Sequence, residues 1–295
     1  MNFGRIITAM VTPFDENGAL DVERTRELVN YLIDNGTDAL VVAGTTGESP
    51  TLTHEEKLLL FETVVDEVKG RIPVIAGTGS NNTQASIELT KEAERIGADA
   101  IMLVAPYYNK PSQEGLYAHF SAIAKETKLP IMLYNIPGRS VIKLTAETTL
   151  RLAQIPNIVM TKEASGDLEM IAEIIENAPE GFSVYSGDDS MTLPILSIGG
   201  KGVVSVASHI IGNELQTMIQ RFENGDVKRA AADHRRLLPL MNACFYAPNP
   251  TAVKALLELK GIKVGTVRLP LTPLSDEQRA ALKEILHSYE NVSLN

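Results

Sequence analysis

A closed (β/α)8 barrel of the TIM type, with a C-terminal helical appendix, is the fold this sequence predicts. Three observations point to it. Short β-rich apolar runs recur eight times up to residue 206, and capped helical patterns lie between them. The 295 residues are also enough for one such barrel, which commonly takes about 250. Alternating strand and helix implies parallel strands joined by right-handed crossovers, and eight units close a barrel. No Gly-x-Gly-x-x-Gly follows the first strand, so the usual dinucleotide site of an open doubly wound sheet is missing.

In chain order, the strand runs are 6–11, 39–43, 74–76, 100–104, 131–134, 158–161, 183–185 and 202–206. Between the first two, residues 21–35 carry Leu28, Val29, Leu32 and Ile33 on one stripe that stops before Gly36. Thr53-His54-Glu55-Glu56 is a capping box that opens a helix reaching Lys69. The third helix starts at Asn82 or Thr83 and ends at Gly97, and the fourth covers 112–127. Thr145 and Asp167 read as N-caps of the fifth and sixth helices. Asp188 or Asp189 caps a seventh that Pro194 kinks or shortens, and 212–224 supplies the eighth. Beyond it, helical patterns at 226–245, 251–259 and 275–289 are separated by proline-rich turns, the last opening on a Ser275 capping box. The expected organisation is a catalytic barrel over residues 1–224 and a helical extension packed on it over 225–295.

Composition excludes several functions. There are 27 Lys and Arg against 37 Asp and Glu, a formal charge of −10 with no basic run, which disfavours nucleic acid and anionic membrane as partners. The single cysteine, Cys244, cannot form an internal disulfide and fits a reducing compartment. The N-terminus reads as a first strand, not a signal peptide, and no apolar stretch reaches the roughly 18 residues of a transmembrane helix. The expected location is the cytoplasm. The five histidines show no metal-ligand spacing, so each is expected to be structural or at the surface, with no metal and no cofactor.

The chemistry is expected at the C-terminal ends of the strands. The sixth run delivers Lys162. With Ile158 and Met160 on its own face, this lysine should be desolvated, its pKa lowered, and its free amine available to form an imine with a carbonyl substrate. The alternative is a lysine that ends its strand and pairs with Glu163 or solvent. Tyr134, at the end of the neighbouring fifth strand, is a phenol able to pass protons as a carbinolamine forms and collapses. Arg139, on a short glycine-containing loop, suits a bidentate grip on a carboxylate. After the second strand, Gly44-Thr45-Thr46-Gly47-Glu48-Ser49 brings adjacent hydroxyls to a turn, which either contacts a ligand or caps a helix. Gly77-Thr78-Gly79-Ser80 lacks the lysine of a P-loop. Tyr107 and Tyr108 end the fourth strand, at the site or at an interface. The loops after strands seven and eight carry no basic residue, which disfavours a phosphorylated substrate there.

Gly44-Thr45-Thr46-Gly47-Glu48, Pro106-Tyr107-Tyr108-Asn109, Tyr134-Asn135-Ile136-Pro137-Gly138-Arg139, Lys162-Glu163 and Ser186-Gly187-Asp188-Asp189 stand in the order and spacing of the pyruvate-dependent class I aldolase superfamily. Within it the chain resembles the dihydrodipicolinate synthase family, over essentially its whole length and including Asn249-Pro250 and Arg268-Leu269-Pro270. The resemblance implies a Schiff-base lyase condensing pyruvate with L-aspartate 4-semialdehyde in diaminopimelate and lysine biosynthesis. It implies Lys162 as the imine-forming residue and Tyr134, Thr45 and Tyr108 as a proton relay, with Tyr108 entering the site of a neighbouring subunit of a homotetramer. Thr46 would hold the pyruvate carboxylate, Arg139 the semialdehyde carboxylate, and Gly187 and Val204 would supply backbone contacts. Sister families such as N-acetylneuraminate lyase use the same imine but usually lack the arginine at 139, since their acceptor is a sugar. A catalytically silent barrel that binds a keto acid would form no reducible imine. The family's lysine-feedback cleft matches Ser49, Pro50, His54, Lys57, Asn81, Ala85 and Tyr107. Lysine-sensitive members typically carry histidine where Lys57 stands and glutamate where Ala85 stands, which implies weak or absent feedback.

Overall fold

The structure, a computed structural model, describes residues 2–293; the expected domain limits at residues 1 and 295 lie outside them. Eight parallel strands close into a barrel in sequence order: β1 Ile6–Ala9, β2 Ala39–Val42, β3 Val74–Gly77, β4 Ala100–Val104, β5 Ile131–Asn135, β6 Ile158–Glu163, β7 Ser183–Ser186 and β8 Gly202–Ser205. β1 pairs with both β2 and β8, so no edge is left open. The period-2 alternation of strand side chains divides the core into two layers. Ile7, Val41, Ile75, Met102, Met132, Tyr134, Met160, Tyr185 and Val204 fill the barrel interior. Their neighbours Ile6, Leu40, Ala76, Ile101, Leu133 and Val203 face outward to meet the helices.

β6 departs from simple alternation. Its register with β5 shifts so that Ile131 faces Ile158 but Met132 faces Met160, which makes Val159 the extra residue. Ile158 therefore joins the outer layer, and of the two residues expected on the Lys162 face only Met160 lies there.

The connecting helices are α1 Val22–Asp34, α2 His54–Val68, α3 Thr83–Ile96, α4 Gln113–Ala124, α5 Pro137–Ser140, α6 Ala146–Leu152, α7 Leu168–Asn177, α8 Thr192–Ser197 and α9 Ser208–Glu223. Asp21, Asn82, Ser112, Thr145 and Asp167 cap as their residue types dictate, and Thr53 and Glu56 complete the capping box of α2. Four details differ from expectation. α4 ends three residues early, because the Thr127 hydroxyl donates to Glu94 Oε2 at 2.7 Å and accepts from the Leu129 amide at 3.1 Å, turning the chain toward β5. The loop carrying Arg139 is itself the single helical turn α5, entered through Pro137. The helix around Pro194 is shortened to six residues as expected, but Asp188 caps the 3-10 turn before it and not the helix itself. α9 begins at Ser208 and breaks at Ile211 (φ −131°, ψ 36°) before the expected helix resumes.

The last three helices are α10 Val227–Ala243, α11 Thr251–Leu259 and α12 Asp276–Ser293. Ser275 and Gln278 exchange the two hydrogen bonds of a capping box at the start of α12. Leu237, Leu240, Met241, Val253, Leu256, Leu257 and Leu282 share one apolar cluster with Ile210, Leu215 and Ile219 of α9 and with the outer face of the barrel.

Candidate active site

Register brings the two expected reactive groups together. Tyr134 and Lys162 are directly paired across β5 and β6, both with inward-pointing side chains, and the Lys162 Nζ sits 4.0 Å from the centroid of the Tyr134 ring. Lys162 is 5% exposed. Burial pulls its pKa down to about 7; the Asp189 carboxylate pulls it back up and the Arg139 guanidinium pushes it further down. Among the described residues its ammonium has no hydrogen bond or ion pair. It does not pair with Glu163, since successive strand residues face opposite sides. The Glu163 carboxylate lies in the outer layer, accepting from Asn135 Nδ2 and Ser165 Oγ, with burial pushing its pKa up to about 7.

Burial also pushes the Tyr134 phenol up to about 12, while the Thr45 side chain, in hydrogen-bond contact with it, and the Arg139 charge pull it back. At pH 7 the phenol is therefore protonated, and the Thr45 hydroxyl is its polar neighbour. Thr46 is buried, and its hydroxyl accepts from Asn249 Nδ2 at 3.0 Å, which leaves its own O–H free to donate. The turn holding these threonines is bracketed by two non-glycine residues in the left-handed region, Ala43 (φ 53°) and Glu48 (φ 56°). Each costs on the order of 1–2 kcal/mol in an L-residue, so something outside the turn must hold it. The two glycines of the next loop serve close packing: a Cβ on Gly77 would meet the Ala43 carbonyl oxygen at 2.6 Å, and one on Gly79 the Val104 amide nitrogen at 2.5 Å.

Arg139 is exposed on α5 and lines a cavity of about 240 Å³ together with Gly44, Thr45, Val104, Tyr107, Tyr134 and Ile136. The cavity continues to Ser49 and Pro50. Lys162 is not among the cavity-lining residues, but its amine stands against the ring of Tyr134, which is. Tyr107 faces the cavity, whereas Tyr108 is 89% exposed with φ 75° and is not among the cavity-lining residues. Gly187 packs against the lysine stem: its amide donates to the Glu163 carbonyl at 2.6 Å, and a Cβ there would meet Lys162 Cγ at 3.1 Å. Val204 is buried in the barrel interior on β8.

Three functional-looking residues were given no site role by the sequence, although Asp189 and Asn249 stand in motifs quoted from it. Asp189 is 2% exposed and accepts from Ser205 Oγ and from the amides of Val206 and Ala207 at 3.0 and 2.9 Å, and its charge raises the Lys162 pKa against burial. Asn249 braces Thr46 from the far end of the chain. Lys254, 2% exposed, forms an ion pair with Glu48 at 2.7 Å; its sequence signal is a lone lysine in α11, a helix apolar nearly all round. Of the histidines, His209 is buried with Nε2 accepting from the Val11 amide at 3.1 Å, and His119 is buried with Nδ1 2.9 Å from Thr83 Oγ1. Among the described residues no group of three or more His, Cys, Asp or Glu is placed to hold a metal ion, and no helix is long and apolar enough to cross a membrane.

The chain matches the model of the dihydrodipicolinate synthetase family over residues 2–289. It is 67% identical over 292 residues to a 4-hydroxy-tetrahydrodipicolinate synthase of Halalkalibacterium halodurans, covering 99% of each chain. It is 62% identical to the 4-hydroxy-tetrahydrodipicolinate synthase of Bacillus subtilis, covering 97% of this chain and 99% of that one. Its fold is similar to the crystal structure of a dihydrodipicolinate synthase from Bacillus anthracis, with a TM-score of 0.96, 58% identity and coverage of 98% and 99%.

Proposed function

The chain belongs to the dihydrodipicolinate synthetase family, and from that premise we propose that Lys162 carries its chemistry as a Schiff base with pyruvate. The family condenses pyruvate with aspartate semialdehyde in lysine biosynthesis, and that lyase activity is this chain's. The observation that carries the residue assignment is the unpaired, buried Lys162 amine with a pKa of about 7, stacked on a protonated phenol.

In this reading the neutral amine attacks the keto carbon of pyruvate, and loss of one water from the carbinolamine gives the imine. Removal of a C3 proton gives the enamine, whose C3 forms the new carbon–carbon bond to the aldehyde carbon while the aldehyde oxygen gains a proton. Tyr134 gives and takes these protons through the Thr45 hydroxyl. Tyr108, too exposed to serve its own barrel, completes the relay in a second copy. Thr46 donates its free O–H to the pyruvate carboxylate, Arg139 grips the semialdehyde carboxylate from the cavity rim, and Gly187 and Val204 present backbone to the bound pyruvate. The active form is then a homo-oligomer, a tetramer built as a dimer of dimers, in the cytoplasm. The barrel, residues 1–224, is the catalytic unit and 225–295 an extension packed on it; the apolar cluster they share supports that packing. No metal or cofactor enters the scheme.

Incubation with pyruvate and borohydride tests it. The expected result is irreversible inactivation with added mass on the peptide containing Lys162; a label on any other lysine sinks the mechanism. Sedimentation of a fully active monomer would overturn the trans role of Tyr108.

A further inference from the structure

Outside the reacting groups, Glu48 is a heavily constrained side chain. It closes the Thr45–Thr46 turn in left-handed backbone (φ 56°, ψ 35°), where glycine would be the easy residue, and it is only 3% exposed. Its amide donates to the Thr45 carbonyl at 3.1 Å, so its own conformation fixes that of the threonine. One carboxylate oxygen meets the Lys254 ammonium at 2.7 Å and the other accepts the Arg268 amide at 2.9 Å. Both partners are themselves fixed. Lys254 donates to the Thr266 carbonyl at 2.9 Å, and the Arg268 guanidinium is held by Glu56 and by the carbonyls of Thr51 at 2.8 Å and Gly18 at 2.7 Å. Both cations stand close to the ring of Phe14, 4.2 Å from its centroid for Lys254 and 4.1 Å for Arg268.

A buried ion pair is weak evidence for stability, because apolar residues of similar volume commonly do as well. Placing one on a strained residue beside a catalytic turn is better explained by what it aims. We infer that Glu48, held by Lys254 and Arg268, is a positioning residue for the condensation: it keeps the turn in the conformation that directs the Thr45 hydroxyl at Tyr134. The C-terminal segment is thereby part of the active-site support. This rests on the function proposed above.

A double-mutant cycle between Glu48→Gln and Thr45→Val tests it, with kcat measured at saturating pyruvate and aspartate semialdehyde on variants whose melting temperature and oligomeric state have been checked. Glu48→Gln keeps an oxygen for the Arg268 amide but removes the charge that Lys254 holds. The expected result is a kcat about tenfold lower in the Thr45 background and less than about twofold lower again when Thr45 is already Val. A structural role would give the same factor in both backgrounds, and that result, or an unchanged kcat in Glu48→Gln, overturns the inference. If Glu48→Gln does not fold, the cycle is run with Glu48→Gly/Lys254→Met, which removes both buried charges and the backbone strain together. Wild-type labelling of Lys162 by pyruvate and borohydride is the control: its absence overturns the functional reading and this inference with it. Its presence alongside an additive cycle overturns the inference alone.

Discussion

The molecule holds two buried lysines that are alike in burial and in stacking on an aromatic ring and differ in what their amines contact. Lys162 is 5% exposed and Lys254 2%; each stacks on an aromatic ring, Tyr134 at 4.0 Å and Phe14 at 4.2 Å. Burial lowers both, to about 7 and about 8. Lys254, however, has the Glu48 carboxylate at 2.7 Å and the Thr266 carbonyl at 2.9 Å, so its amine is used up in holding the chain together. Lys162 has no such partner, because the one carboxylate that influences it, Asp189, is already taken by Ser205 and two backbone amides. Desolvation makes a lysine available; leaving it unpaired makes it a nucleophile.

The largest test of that contrast is removal of each amine. Lys162→Ala should lose pyruvate trapping and reduce condensation on the order of 1,000-fold or more, and Lys162→Arg should do no better because guanidinium stays protonated. In the wild type, the rate of trapping should rise with pH. Below its pKa of about 7 Lys162 is charged and cannot attack, and above it the free amine predominates. The rise should be roughly tenfold between pH 6 and pH 8. A rate that keeps climbing toward pH 10 would mean the amine is less desolvated than its burial indicates.

Lys254→Met should act chiefly on stability, with a smaller loss of kcat because Lys254 also holds Glu48 and the turn it closes. It leaves Glu48 charged and buried without its ion-pair partner, a loss of about 3–5 kcal/mol on the usual scale for a broken buried pair, read as a lowered denaturant midpoint at constant slope. Unchanged stability would show that the Arg268 amide alone satisfies the carboxylate.

Arg139 lies at the exposed rim, so its effect should be confined to the second substrate. Arg139→Ala should cost about 2–5 kcal/mol in condensation while leaving the pyruvate imine nearly intact. Equal losses in both steps would make it a structural support for α5.

The smallest expected effect concerns L-lysine as an inhibitor. Ser49, Pro50 and Tyr107 line the cavity wall, but Ala85 offers no carboxylate, His54 Nε2 is engaged by Glu92 at 2.7 Å, and burial lowers the pKa of half-buried Lys57 nearby. The missing charge-assisted hydrogen bond is worth about 1.5–3 kcal/mol, roughly tenfold or more in affinity. Initial rates across a lysine titration decide it, and half-inhibition at submillimolar lysine would contradict this reading of the cleft.

The sequence by itself determined the barrel, the strand that carries Lys162 and the adjacent strand that carries Tyr134. Those features rest on local periodicity, capping side chains and the count of eight units, all of which are written in nearby residues. It also carried Thr45, Thr46 and Arg139 to the right ends of the right strands. Tertiary structure alone decided the rest. The β6 register shift moved Ile158 out of the barrel, since pairing with β5 and not strand periodicity sets which face a residue takes. Thr46 meets Asn249, and Glu48 meets Lys254 and Arg268, across some 200 residues of chain, as the separation of 220 between Glu48 and Arg268 illustrates. No short-range pattern encodes such a contact. The sequence singled out Lys162 and passed over Lys254, though both stand amid apolar neighbours; which one receives a carboxylate depends on which loops the closed barrel brings past it.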